Sequence, residues 1–463
     1  MPNWIKKSLL VALVFGACWG AAVWYWRATN RMPSTEDVVL LLLVLPLALL
    51  LAYWLGARVL AMLTAAPAVA AAAPAPADAA AASMPALAAP LAILASALRV
   101  PHGATPQDLA TALQEKIARA ELDPELVDDQ GFPLMTARSG DADDTGLRDE
   151  ITAWLAENGM PELRPCAEQW RALVLGTAVA AELAAIASAE LLPPDGTAPT
   201  LQLMPVLPAD WPIEVRRAAG LWLQNVIIRS GWPAPQVALA AELPADAAVQ
   251  GPISALARLA HHSVTGDGAL IALLVACSSH LGEDSVEQWS GKGVLFTSGR
   301  PQGLIPGEGA AGLLLTDLAR ARAVEGAAIA MLHTVDEARR HNSADEAKRA
   351  DATLLGTLTE KVLVRGAVQA TDVAMIVADT GHRSSRVLEL LGLASSALPQ
   401  LDADVDVTCL GASGGTCGAV PFMTALALSH HHALERDASV LCISNEDPYR
   451  RCAALIRPAA SLS

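Results

Sequence analysis

The chain has 463 residues, 53% of them apolar and 17% charged, with a mean hydropathy of +0.37. At about 150 residues per domain it holds roughly three folding units, and it is more apolar than a wholly soluble chain. Its 32 basic and 48 acidic residues give a net charge of −16, which excludes a polyanion-binding surface and makes nucleic acid an unsuitable partner.

The apolar excess is concentrated at the front. Residues 8–26 (SLLVALVFGACWGAAVWYW) and 38–55 (VVLLLLVLPLALLLAYWL) are each about long enough to cross hydrocarbon. Trp24, Tyr25 and Trp26 close the first run, and Tyr53 and Trp54 close the second, as interfacial aromatics do. No small-residue cleavage site follows the first run, so the pattern predicts a retained transmembrane hairpin over residues 1–63 rather than a signal peptide. Lys6, Lys7 and Arg58 lie outside this hairpin and Arg27 and Arg31 in its short loop, which predicts both termini in the cytoplasm. Residues 64–90 form an Ala/Pro-rich run whose prolines forbid one continuous helix and whose small side chains cannot build a core, the pattern of a semi-extended linker. Without the hairpin the remainder carries 27 basic and 46 acidic residues, a net of −19.

Residues 91–463 alternate β-rich runs with amphipathic stretches, an α/β signature. Strands are predicted over 91–100, 200–207, 236–243, 268–279, 310–316, 327–335, 373–379, 405–410 and 439–444. Thr105 as a cap with Pro106 at the first helical position opens a helix running to about Glu121. Further helices are predicted over 149–158, 166–191, 213–228 and 252–260, and the capping box Ser343-Ala344-Asp345-Glu346 opens one that reaches about Arg365. Two halves, 91–320 and 321–463, each with several strands and covering helices, predict a duplicated layered fold.

Seven scattered cysteines (Cys18, Cys166, Cys277, Cys409, Cys417, Cys442, Cys452) include no pair with zinc or redox spacing and fit a reducing compartment. Cys277 ends a strand where a nucleophile can be exposed, although a buried small hydrophobe is the plainer reading. The turn GLIPGEGAA (303–311) feeds a strand; Gly307 and Gly309 permit close backbone approach and Glu308 fixes the turn. GASGGTCG (411–418) lacks both the Gly-Lys-Ser/Thr ending of a nucleotide loop and the dinucleotide spacing, so Gly411 and Gly414 read as packing positions and no cofactor is expected. The run from Asp141 to Gly146 opens like a calcium loop, but Thr152 stands where a bidentate Glu is needed. His261-His262 and His430-His431-His432 are adjacent rather than one turn apart and read as solvated helix ends, with no metal.

The stretch 303–315 (GLIPGEGAAGLLL), together with 373–386 (VAMIVADTGHRSSR), LGASG at 410–414, and SNE at 444–446 followed by RCAA at 451–454, resembles the β-ketoacyl synthases of the thiolase superfamily. The resemblance covers about residues 266–458 and implies a five-layered duplicated thiolase-like fold and a homodimer paired through a central strand. It also implies losses. The family's nucleophilic Cys lies well upstream of the Gly-Glu-Gly turn, yet no Cys occurs between Cys166 and Cys277. Asp379 stands at the first catalytic His position with His382 three residues away, and Thr408 and Ala403 stand at the late His and Lys. A decarboxylating condensation without its thiolate and donors does not proceed, so a catalytically inactive member is implied. A second resemblance, carried by residues 123–137 (DPELVDDQGFPLMTA) with the hairpin and linker, is to the accessory adaptors of type VI secretion lipase effectors. It implies an adaptor anchored in a bacterial inner membrane, with its globular domain in the cytoplasm holding an effector lipase. The alternatives are an active acyltransferase using Cys277 with His382 and Asp379, and an acyl-chain-binding sensor.

Overall fold

The computed structural model divides into two compact units, Met1–Ala79 and Ala80–Ser463. It describes residues 87–459, except 88, 194–197, 241–250, 266–269, 325–327 and 347–348, together with Trp19 and Arg27. The expected hairpin and nearly all of the linker lie outside the described residues.

The larger unit opens with β1 (Leu91–Arg99), α1 (Pro106–Gln114), a ribbon of β2 (Glu121–Val127) and β3 (Pro133–Thr136), then α2 (Thr145–Glu157) and α3 (Ala167–Leu191). There follow β4 (Leu201–Val206), α4 (Ile213–Arg229), β5 (Val237–Leu239), α5 (Pro252–Thr265), β6 (Ile271–Ser279), α6 (Glu283–Lys292), β7 (Glu308–Thr316) and α7 (Leu318–Ala323). The second half comprises β8 (Ala330–Arg339), α8 (Thr353–Arg365), β9 (Val373–Ala378), α9 (Ser384–Ala397), β10 (Val407–Cys409), α10 (Gly411–Gly414), α11 (Val420–Glu435), β11 (Ser439–Ser444) and β12 (Arg450–Pro458).

Ten strands share one sheet in the order β10-β9-β11-β12-β8-β1-β7-β6-β4-β5. From the centre outward, the five sheet strands of each half run first, fifth, fourth, second, third. The outer three are parallel and the inner pairings antiparallel in both halves. The halves join where β1 meets β8 antiparallel, Leu91 opposite Leu332 and Ile93 opposite Ala330. One topology therefore occurs twice.

Strand alternation sorts side chains into layers. On β6, Ala272, Leu274 and Ala276 enter a central core with α5 and α11, while Ile271, Leu273, Val275 and Cys277 enter an outer core with α2, α3 and α4. In the second half Met375, Val377, Val440 and Cys442 join the central core, and Ile376, Ala378, Leu441 and Ile443 pack against α8 and α9. The result is five layers: helices, strands, a central helical layer, strands, helices. All nine residues of β6 are buried, which is why the strand reads as a continuous apolar run. Among the described residues only α3 is long and apolar enough to cross a membrane, and its Leu175, Val179 and Leu183 are fully buried in the outer core.

Some expected elements differ. Thr105 does cap α1, accepting from the Asp108 amide at 3.1 Å, but the helix ends at Gln114 and not near Glu121. Lys116 adopts a left-handed φ of 58° and turns the chain into the β2–β3 ribbon. Asp123 holds that ribbon: it accepts from the Glu125 and Leu126 amides at 2.9 Å, from Thr136 Oγ1 at 2.7 Å, and from Arg138. Burial alone would raise the Asp123 carboxyl, but these donors hold it down at about 2. The Ser343 capping box opens no helix, and α8 begins at Thr353. Asp345 is instead taken by Arg383 at 3.0 Å and Arg386 at 2.6 Å, and the Ala344 amide by the Pro448 carbonyl at 2.8 Å.

Candidate functional site

Four loops meet where the parallel strands β9, β10 and β11 end, the edge of an α/β sheet at which ligands are commonly held. The Asp379 amide donates to the Ile443 carbonyl at 3.1 Å, Leu410 to Ala378 at 2.9 Å, Gly411 to Thr380 at 2.9 Å and Thr416 to Ile305 at 2.7 Å. These bonds draw residues 303–309, 379–383, 410–418 and 444–448 around a cavity of about 420 Å³. Leu304, Cys417 and Phe422 supply apolar wall, Glu337, Asp379 and Arg450 supply charge, and Gly251 with the first residues of α5, Pro252 to Ser254, also lies on the lining.

The glycines at this junction are not equivalent. A Cβ on Gly307 would lie 2.1 Å from the Gly414 carbonyl oxygen, and one on Gly411 would lie 2.5 Å from the Gly381 Cα. Both positions require the backbone approach that only glycine permits. A Cβ on Gly309 would meet Val100 Cγ1 at 2.9 Å, whereas Gly414 faces open space, so its expected packing role is not required by contact.

Glu308, fully buried at the start of β7, is the anchor beneath the turn. It accepts from Arg171 Nε and Nη2, both at 2.7 Å, from the Ser139 amide at 2.8 Å and from Ser279 Oγ at 3.1 Å. Burial alone would lower the Arg171 guanidinium, but its bonds to Glu308 and Asp143 outweigh burial and raise it. The acidic run that opens like a calcium loop is thereby explained: Asp143 pairs with Arg171 and Asp144 caps α2 through the Leu147 amide at 2.9 Å.

Asp379 is 5% exposed on the cavity wall. Its carboxylate accepts from Ser444 Oγ, from the Asn445 amide at 2.9 Å and from the Glu446 amide at 3.3 Å. Burial pushes the Asp379 carboxyl up to about 6 against the pull of these donors. Glu446 in turn takes the Gly381 amide at 2.8 Å and Arg383 Nη2 at 2.7 Å. Arg451, fully buried, is held bidentately by Glu389 at 2.8 and 2.9 Å, and Arg340 joins the same carboxylate at 2.9 Å. Glu446, Arg383, Asp345 and Glu389 were not selected from the sequence. Their only signals were the proximity of Arg383 and Arg386 to Asp379 and the SNE string after β11.

The sequence-selected Cys277, His382 and Asp379 do not form one group. Cys277 faces the outer core, where a Cβ on Gly176 of α3 would lie 2.9 Å from its Sγ, and burial pushes its thiol up to about 12. It hydrogen-bonds to neither of the other two. His382 packs edge-on against Phe296 at 5.3 Å, and burial lowers its pKa. Cys417 and Cys452 do line the cavity, but burial raises both thiols well above their ordinary range. His280, also on the wall, rests against Trp289 at 4.9 Å and is lowered by burial, hence a neutral imidazole at pH 7.

The expected solvated histidine ends hold for His261 and His262, which are exposed, and fail for His430 and His432, which are 6% and 2% exposed. Helix α11 lies in the central layer and is buried almost all round before its last turn, so His430 and His432 have no open face. His430 Nδ1 sits 2.9 Å from Ser96 Oγ, and burial lowers its pKa to about 4.

No protein-family model matches the chain, and no curated protein sequence does. Solved structures do resemble it. The ishigamide ketosynthase/chain length factor aligns over 80% of this chain and 99% of its own, with a TM-score of 0.50 and 16% identity. The ketosynthase from module 1 of the bacillaene synthase of Bacillus amyloliquefaciens FZB42 aligns over 80% and 72%, with a TM-score of 0.53 and 13% identity. The module 6 ketosynthase of the bacillaene synthase of Bacillus subtilis 168 aligns over 80% and 72%, with a TM-score of 0.52 and 14% identity. The fold is that of the ketosynthases, a thiolase-like fold.

Proposed function

We propose that this chain is a non-condensing protein of the ketosynthase fold, membrane-anchored through residues 1–63, whose globular unit holds a protein partner. The observation that carries the proposal is the chemical state of the cavity. A thiol is activated at a helix N-terminus or beside a base; the start of α5 on this cavity carries no cysteine, and Cys417, three residues before α11, is 1% exposed with its thiol raised by burial. The two cysteines on the wall are protonated by burial, and Asp379 and Glu446 are committed to backbone amides, Ser444 and Arg383. Nothing in that set generates a thiolate or stabilises an enolate.

A protein partner is favoured by the surface of the β2–β3 ribbon. Leu122 is 65% exposed, Phe132 63% and Val127 49%; Leu122 and Phe132 line one groove together with Asp128, Asp129 and Arg300. An apolar patch with an acidic border suits a partner offering apolar residues among basic ones. The sequence resemblance points to an effector lipase of a type VI secretion system as that partner.

The test is co-expression with the lipase encoded nearest to this chain. A stable complex is expected, and Leu122→Glu with Phe132→Glu is expected to abolish it while leaving the fold's circular dichroism unchanged. Absence of a complex, or equal recovery with the double variant, contradicts the proposal.

A further inference from the structure

Outside the cavity, the last turns of α11 bring three metal-ligating groups together. The imidazoles of His431 and His432 and the carboxylate of Glu435 offer donor atoms that all lie within 4.8 Å of one another. We infer that His431, His432 and Glu435 form a binding site for a divalent transition-metal ion of the Zn²⁺ type.

The geometry is close to what such an ion needs. His432 Nδ1 lies 3.0 Å and His431 Nε2 3.8 Å from the same Glu435 oxygen. Metal–ligand bonds of about 2.1 Å in a tetrahedral arrangement set donors about 3.4 Å apart, between those two separations. Glu435 has a side chain 48% exposed, so it can rotate to close the set without disturbing the core.

A second observation points the same way. His431 Nε2 is buried and has no hydrogen-bond partner, since 3.8 Å to Glu435 exceeds hydrogen-bond range. A buried nitrogen left without a partner is destabilising, and coordination would satisfy it. The adjacent histidines reach one carboxylate because Glu435 lies four residues after His431 and three after His432, so it is a helical neighbour of both. The surrounding charge is compatible. These residues occupy the C-terminal end of α11, where the helix dipole favours a cation, and the neighbouring Arg436 is already paired with Asp406 at 2.8 Å. Two imidazoles and a carboxylate suit Zn²⁺ or its congeners; Ca²⁺ and Mg²⁺ prefer oxygen sets. Three protein ligands leave the fourth position for water.

The experiment titrates Co²⁺ into the tag-free full chain in detergent after chelator treatment. Visible d–d absorption saturating at one equivalent, and displaced by Zn²⁺, is the expected result. Glu435→Gln and His431→Gln should each weaken the site roughly tenfold or more, whereas the double variant His261→Gln with His262→Gln should retain it. Zn²⁺ should also raise the Tm of the parent chain and not that of Glu435→Gln. Non-saturating absorption, equal affinity in Glu435→Gln, or loss of the signal in the His261/His262 variant would each overturn the assignment.

Discussion

Glu308→Ala is expected to destabilise the globular unit by about 3–5 kcal/mol, the usual cost of removing one partner from a buried ion pair. Both side chains are inaccessible, Glu308 fully and Arg171 to within 6%, so the guanidinium left behind can neither reach water freely nor lose its charge. The Ser139 amide and Ser279 Oγ would also lose their acceptor. Asp143 remains beside Arg171, but its side chain is 60% exposed and so compensates weakly. The denaturant midpoint should fall accordingly. Glu308→Leu combined with Arg171→Met, which removes both charges while keeping apolar volume, should recover most of the loss. An unfolding free energy for Glu308→Ala within about 1 kcal/mol of the parent's would show that the turn does not depend on this pair.

Asp379→Asn is expected to remove a pH dependence of stability and to raise stability at pH 7. The folded-state pKa of about 6 stands above the ordinary carboxyl value of 3.8, so the folded state holds this proton more tightly than the unfolded chain does. The associated stability is fully present below about pH 4 and is lost as pH rises through about 6, a change of about 3 kcal/mol. Asn can keep the geometry, accepting from the Asn445 and Glu446 amides and donating to Ser444 Oγ, but it has no charge to desolvate. Its stability should therefore hold level across that window, comparable with the parent's at pH 4, where Asp379 is largely protonated, and above it at pH 7. Parallel profiles for the two proteins between pH 4 and 7 would contradict the buried, proton-linked role of Asp379.

The legible parts of the fold were those set by local pattern. β6, β7 and β11 each hold an apolar run (271–277, 309–315 and 440–443), and the Thr105–Pro106 start of α1 is a local hydrogen bond and a local φ preference. The parts set by distant partners were not legible. The β2–β3 ribbon contains Asp123-Pro124, which reads as a break, and exists because Asp123 reaches Thr136 and Arg138. Ser343 to Glu346 has the spacing of a capping box, but arginines from another segment claim Asp345. The same holds at the site. The glycine turn and the position of Glu308 stand out in sequence, whereas Arg171 lies 137 residues away from its partner and no spacing connects them. His430 and His432 differ from the expected solvated ends because a helix of the central layer faces the core on nearly every side before its last turn.

On the proposed reading the chain has the ketosynthase fold and no activated thiol in its cavity. Incubating the full chain with a fatty-acyl thioester and recording its intact mass tests this most directly. An unchanged mass at neutral pH, with Cys277, Cys417 and Cys452 all recovered as free thiols after proteolysis, is the predicted result. A stoichiometric acyl adduct on any of these cysteines, discharged on addition of a malonyl thioester, would contradict it.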